Sequence, residues 1–313
     1  MSHACYLDNL PPTPLVPVQL VPEDPVIWVK LEFLNPSGST KDRIARHILG
    51  LALKNGQVRP GSLVAEASSG STSIAMALVC AQLGLRFTAV MPVGVSNERV
   101  LMIRALGGEV RLTPKEDGIA GAIAETERLG AFLPKQFDNI ENANAHRHGT
   151  AQEILRQIPG NQVDAVVSGV GTGGTLVGLY RGCHCLVPVL ARPIELGGEA
   201  QGGSVEVECC SFSSRIPGVV DSVSTIFRAA DMPTLVTMEI HASDALAMTR
   251  ALIRLGFPVG PSSGLNFRAA LEYARTLKDP QARVVTVFPD RMERYFTTDL
   301  FGPFRDSASA GVP

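Results

Sequence analysis

The chain lacks a dominant charge sign, any apolar run of bilayer-spanning length, a dense set of cysteines, and more than a few aromatic residues. Its 28 Lys and Arg stand against 30 Asp and Glu, a formal charge of −2. That balance provides no basic field for phosphate neutralisation, so nucleic acid is not an expected partner. The longest apolar stretches, such as residues 74–81, fall far short of the ~18–20 residues that cross a bilayer. No Lys or Arg precedes Lys30, which removes the basic start of a secretory signal and the Arg-rich pattern of a presequence. A cytoplasmic protein with no membrane partner is expected. Six cysteines in 313 residues are too sparse for a disulfide framework, and Cys80 sits in an apolar helical run as a small hydrophobe. Cys183-His184-Cys185 has no second pair at zinc-ligand spacing; it reads as the start of an apolar strand, and no metal is expected.

What is present is 45% apolar residues in a length suited to two domains of ~100–200 residues each. The first 36 residues hold seven of the 22 prolines and read as a wrapping segment with a strand at 26–33. Beyond it, strands and helices alternate. Helices are expected at 42–54, 73–83, 97–106, 118–129, 145–157, 175–180, 242–255 and 265–277. Strands are expected at 63–67, 87–91, 109–112, 165–168, 186–190 and 283–288. The segment 197–214 is Gly-rich without periodicity and reads as a loop. The pattern implies α/β architecture: two α/β domains with mainly parallel twisted sheets wrapped by helices and a ligand cleft between them.

Four turns could carry chemistry. Gly169-Val170-Gly171-Thr172-Gly173-Gly174-Thr175 follows a strand and opens a helix, where backbone N–H groups, the helix dipole and threonine hydroxyls can cradle a phosphate. A tight turn that binds nothing is the plain alternative. Gly169, Gly171 and Gly174 also match G-x-G-x-x-G, with Glu195 21 residues beyond Gly174, as a dinucleotide fold requires. Ser39-Thr40-Lys41-Asp42 puts a lysine at a helix start, where the dipole disfavours the ammonium and favours the neutral amine that forms a Schiff base. Ser68-Ser69-Gly70-Ser71-Thr72-Ser73 offers hydroxyls and free N–H groups to a carboxylate, or simply an N-cap. Gly260-Pro261-Ser262-Ser263-Gly264, read alone, is a cap.

Together these four turns resemble the cysteine synthase and cystathionine β-synthase family of fold type II pyridoxal-phosphate enzymes, whose fold is tryptophan synthase β-like. The likeness runs from Thr13-Pro14-Leu15 to Tyr295, through Met91-Pro92, Glu98-Arg99, Gln136-Phe137-Asp138-Asn139 and Phe288-Pro289-Asp290. The resemblance implies that Lys41 bonds the cofactor and takes the substrate Cα proton. It implies that Gly171, Thr172, Gly173, Gly174 and Thr175 hold the phosphate, and that Ser262 meets the pyridine nitrogen. Ser68, Ser69, Thr72 and Gln136 would hold the substrate carboxylate. It further implies a homodimer, a smaller domain at 44–145 carrying the carboxylate loop, and a larger one from 1–43 plus 146–313 carrying most of the cofactor site.

The chain departs from the family pattern in places. Ser71 stands where an Asn usually reaches the cofactor's 3′-oxygen, and Ser73 replaces a Gly. Arg291 and Met292 stand where Gly is common, which would strain them if φ is positive there. Arg215-Ile216-Pro217-Gly218 resembles a segment bordering the pocket of phosphoserine-using relatives and is read as a surface arginine. The expected function is β-replacement on an activated serine of the O-acetylserine type through an aminoacrylate. The alternatives are cysteine desulfhydrase, phosphoserine-using β-replacement, a catalytically quiet cofactor-binding homologue, and an NAD-dependent dehydrogenase. His146, His148 and His184 are assigned no role.

Overall fold

The computed structural model describes residues 6–184, 187–194, 224–279 and 281–308. The Gly-rich segment 197–214, Glu195 and the 215–218 motif lie outside them. In chain order the elements are β1 (Leu15–Val18), β2 (Ile27–Lys30), α1 (Lys41–Lys54), β3 (Leu63–Ala67), α2 (Ser71–Leu83), β4 (Arg86–Pro92), α3 (Asn97–Ala105), β5 (Glu109–Thr113) and α4 (Gly118–Glu127). Then α5 (Glu141–Ala145) runs through a π-helical turn (His146–Thr150) into α6 (Ala151–Gln157). β6 (Ala165–Ser168), α7 (Gly174–Cys183), β7 (Val187–Ile194), β8 (Val236–His241), α8 (Ala242–Arg254), α9 (Pro261–Thr276), β9 (Val284–Val287) and α10 (Gly302–Ala308) complete it.

Nine strands make two sheets among the described residues. One has the order β1-β2-β9-β6-β7-β8 and is parallel except for the β1–β2 pair; the other is the all-parallel trio β3-β4-β5. β6 and β9, buried at every residue, are continuous Val-rich runs because helices cover both faces of a parallel sheet. α2 is apolar all round, so its residues Ile74 to Cys80 are all buried, each worth about 1.5–3 kcal/mol for the large side chains. It stops where Gly84 turns left-handed at φ 66°. The trio lies wholly between residues 63 and 113, which supports the proposal that 44–145 forms the smaller domain.

α7 carries glycines every fourth residue, at 174, 178 and 182. A Cβ at 178 would lie 2.5 Å from His146 Cβ, so the bare stripe lets the α5–α6 segment sit directly on α7. Cys183 is the buried last residue of α7 and His184 its left-handed cap at φ 50°; the expected strand start is corrected to a helix end. α7 runs to Cys183, past the expected helix end at 180.

Candidate active site

The turns that follow β3, β6 and β9, at the carboxyl ends of parallel strands, meet the first turns of α1 and α9 around one cleft. Of the residues singled out from the sequence, Lys41, Ser68, Ser69, Ser71, Thr72, Gln136, Gly171, Thr172, Gly173, Thr175 and Ser262 line it. Gly174 does not. Its missing side chain leaves room for the Asn142 amide, which a Cβ would overlap.

Lys41 is the first residue of α1, with its turn fixed from behind. The Ser37 N–H donates to Asp42 Oδ2 at 2.8 Å, Gly38 takes φ 78°, and Arg294 Nη1 donates to the Gly38 carbonyl at 3.0 Å. Deeper, Arg43 on α1 pairs with Glu32 Oε1 at 2.9 Å and with Glu153, which also meets Lys30 Nζ at 2.8 Å. Burial would raise the Glu32 carboxyl, but Arg43 outweighs it and draws it down to about 2. The Lys41 amine has no hydrogen-bond partner among the described residues. Burial lowers its pKa, opposed by the Asp290 carboxylate. A larger share of this amine is therefore neutral than of an exposed lysine.

The 68–72 turn is partly self-satisfied. Ser68 Oγ accepts the Gly70 and Ser73 N–H groups at 2.8 and 3.3 Å, so it is a cap as well as a cleft residue. Thr72 Oγ1 donates to Gln136 Oε1 at 2.6 Å, and Gln136 Nε2 donates to the Ala67 carbonyl at 2.6 Å. Behind them the buried Glu66 carboxyl accepts the Ala67 and Gln136 N–H groups at 3.0 and 3.2 Å, and burial pushes it up to about 8. The 68–72 turn and Gln136 thus form one hydrogen-bonded unit. Gly70, at φ 141°, lies against the Arg99 side chain, whose Nη1 donates to the Ser69 carbonyl at 3.1 Å.

In the glycine turn, Gly169 N–H donates to Asn266 Oδ1 at 2.7 Å, and Asn266 Nδ2 to the Val287 carbonyl at 3.0 Å, which pins the β6 turn to β9. Ser224 Oγ donates to the Thr172 carbonyl at 2.6 Å. Across the cleft, Ser262 follows Pro261 at the start of α9, and its hydroxyl has no partner among the described residues. Neighbouring Ser263 is fully buried, its Oγ also unpaired.

Sequence reasoning missed Arg99, Asp290, Tyr295 and the second layer at His146. Asp290 lines the cleft, accepting Tyr295 O–H at 2.6 Å and the Ser71 hydroxyl at 3.3 Å. Serine at 71 therefore turns to a neighbouring carboxylate. Arg99 sits over the Tyr295 ring at 5.2 Å. Both residues occurred in the text that carried the resemblance, but nothing in their spacing showed them converging. Arg291 has φ −87°, and Met292 is not left-handed, so the expected strain is absent. His146, expected to be idle, is fully buried and contacts Thr175 Oγ1 at 3.3 Å.

Residues 6–290 match the family of pyridoxal-phosphate dependent enzymes. Cysteine synthase B of Campylobacter jejuni is 37% identical over 290 residues, covering 88% of this chain and 91% of that protein. Among solved structures, O-ureido-L-serine synthase superposes with a TM-score of 0.83 at 32% identity, covering 99% of both chains. A hydrogen sulfide-producing enzyme of Fusobacterium nucleatum gives 0.81 at 31% identity, covering 95% of this chain and 91% of that one. The four turns that build the cleft all fall inside the matched region, and the match spans nearly every described element. The chain belongs to the pyridoxal-phosphate dependent enzymes.

Proposed function

We propose that the chain catalyses β-replacement on an activated serine of the O-acetylserine type, as a cysteine synthase does. The observation that carries this reading is one cleft lined by a lysine amine and a serine hydroxyl that have no hydrogen-bond partner among the described residues, a glycine turn opening a helix, and a hydroxyl-rich turn at 68–72. That donor set fits pyridoxal 5′-phosphate. When bound, the cofactor supplies the electron sink that lets an amino acid lose its Cα proton and its β-substituent.

The chain's own residues would do the rest. The turn with Gly171, Thr172, Gly173 and Thr175 grips the phosphate at the positive end of α7, and Gly174 shapes that turn from behind. Ser262 meets the pyridine nitrogen with a hydroxyl, which leaves that nitrogen less firmly protonated than a carboxylate would. Ser68, Ser69 and Thr72, with Gln136, hold the substrate carboxylate and orient Cα toward Lys41. Neutral Lys41 Nζ takes the Cα proton. Ser71, bound to Asp290, would line the cofactor's pocket.

Cofactor fixed to the protein by borohydride, and lost in Lys41→Ala, checks the attachment. Cysteine formed from O-acetylserine and sulfide supports replacement. A preparation that instead only releases sulfide from cysteine supports the second reading, β-elimination, which the serine at 71 and the likeness to the sulfide-producing enzyme favour. The homodimer is proposed on the family resemblance and is checked by sedimentation. No helix among the described residues is long and apolar enough to cross a membrane.

A further inference from the structure

A second cavity, of about 350 Å³, lies beside the carboxyl end of β3, between α4 and residues 133–138. Small-molecule sites usually enclose ~300–1,000 Å³, and the cleft itself measures about 910 Å³. Phe137 lines both spaces, so the two share a wall.

The lining of this second cavity is chemically one-sided. Buried Thr126 donates its hydroxyl proton to the Ile123 carbonyl at 2.6 Å, so its oxygen is left only to accept. Exposed Glu127 and Asp138 bring two carboxylates to the rim. The one donor among the described lining side chains that is free of such a bond is Lys135, which is more than half exposed and stands 4.0 Å from Glu127. Glu66, fully buried, completes the set. Burial pushes its carboxyl up to about 8, and the Asp138 carboxylate adds to the rise, so it carries a proton at neutral pH. Its oxygens accept backbone N–H groups, but the described residues offer no acceptor for that proton. Three carboxyl groups thus face one ammonium, beside apolar walls from Ile123, Leu133 and Phe137.

We propose that this cavity is a second ligand site, which takes a small organic ammonium: the charge meets Glu66, Thr126 and Asp138, and the alkyl portion lies on Ile123, Leu133 and Phe137. The incoming cation replaces the Glu66 proton as the partner of that carboxyl. The site is joined to the cleft, because Glu66 Oε2 accepts the Gln136 N–H at 3.2 Å and the Gln136 side chain accepts the Thr72 hydroxyl at 2.6 Å. An ionised Glu66 holds that N–H more strongly than a protonated one, so the occupant steadies Gln136. The effect on the amino-acid substrate rests on the cysteine synthase reading above; occupancy of the cavity does not.

The test is calorimetric titration of the holoenzyme with n-propylammonium, and with propionate as an anion of matching size. Propylammonium binds and propionate does not. Affinity grows by about tenfold for each pH unit up to about 8 and is level above, because each ligand bound releases the Glu66 proton while an alkylammonium keeps its own to pH ~10. Glu66→Gln weakens binding by about tenfold at pH 8 and removes the pH dependence. Ile123→Trp fills the cavity and abolishes binding. In the unaltered enzyme a saturating probe lowers KM for O-acetylserine by about fivefold and leaves kcat as it was. Equal binding of propionate, or propylammonium binding that neither variant alters, overturns the site. A KM that is unmoved or raised overturns its link to the cleft. If Ile123→Trp does not fold, Glu66→Gln decides alone. A holoenzyme that binds the probe in this way but makes no cysteine overturns the functional reading and leaves the site in place.

Discussion

At the scale of the residue, the site is decided by where charge is tolerated. Glu66 is a buried carboxyl pushed up to about 8, because burial outweighs the two backbone N–H groups it accepts. Its native pKa lies above its unfolded value, so the native state binds the extra proton, and stability falls as pH rises from about 4.5 to about 8. Thermal melts across this range should show that decline. Glu66→Gln should flatten it while costing about 1 kcal/mol at low pH, because an amide can accept only one of the two N–H groups. A slope that persists in the variant assigns it to another group. Asp290 acts in the opposite sense on Lys41, favouring the ammonium. Asp290→Asn should therefore lower the lysine pKa further and move the pH midpoint of cofactor uptake by the cofactor-free protein downward. An unmoved midpoint removes Asp290 from that role.

The elements show how far the sequence alone could be read. β3 and β6 have the expected bounds, because short, mostly apolar runs closed by hydroxyl or glycine turns leave little choice of boundary. α9 begins at Pro261 rather than 265, since a proline at the first helical position needs no N–H partner. β8 was missed: a half-exposed edge strand paired only with β7 on the described side, it offers alternation but no turn signal. The stretch expected as a helix at 145–157 begins at Glu141 and passes through a π turn, which no periodicity announces. That Lys41, Ser262 and the two hydroxyl- and glycine-rich turns share one cleft was legible because glycine and hydroxyl residues are costly inside elements and cluster at their ends. The contact of α5 with α7 was not, because Asn142 and His146 read as ordinary helix residues until α7 is laid against them. Gly178→Ala tests that packing. With a Cβ at 2.5 Å from His146 Cβ and closer still to the Ala143 carbonyl, it should cost about 1–3 kcal/mol and loosen the cofactor, measured by melting and by affinity together. An unaltered affinity would separate the helix contact from the phosphate turn.

At the scale of the molecule, one short stretch after β9 reaches both the 68–72 turn and the turn before Lys41. Asp290 meets Ser71 and Tyr295, Arg294 holds the carbonyls of Ser37 and Gly38 before Lys41, and the Arg294 carbonyl accepts Ser96 Oγ at 3.1 Å from the α3 side. Arg294→Ala would remove the guanidinium donor from the Ser37 and Gly38 carbonyls, the second keeping the Arg291 N–H at 3.1 Å. It should cost about 2–4 kcal/mol in urea melts and slow cofactor uptake, the second effect marking it as more than a packing loss. Loss of stability with unchanged uptake would confine Arg294 to the framework.

The same arrangement bears on how the protein is made. β9 inserts between β2, near the beginning of the chain, and β6, in its middle. A ribosome must synthesise every residue up to 287 before that strand can enter. Val287, Pro289 and Asp290 line the same cleft as Lys41, so the surroundings of this amine are complete only after synthesis has passed β9.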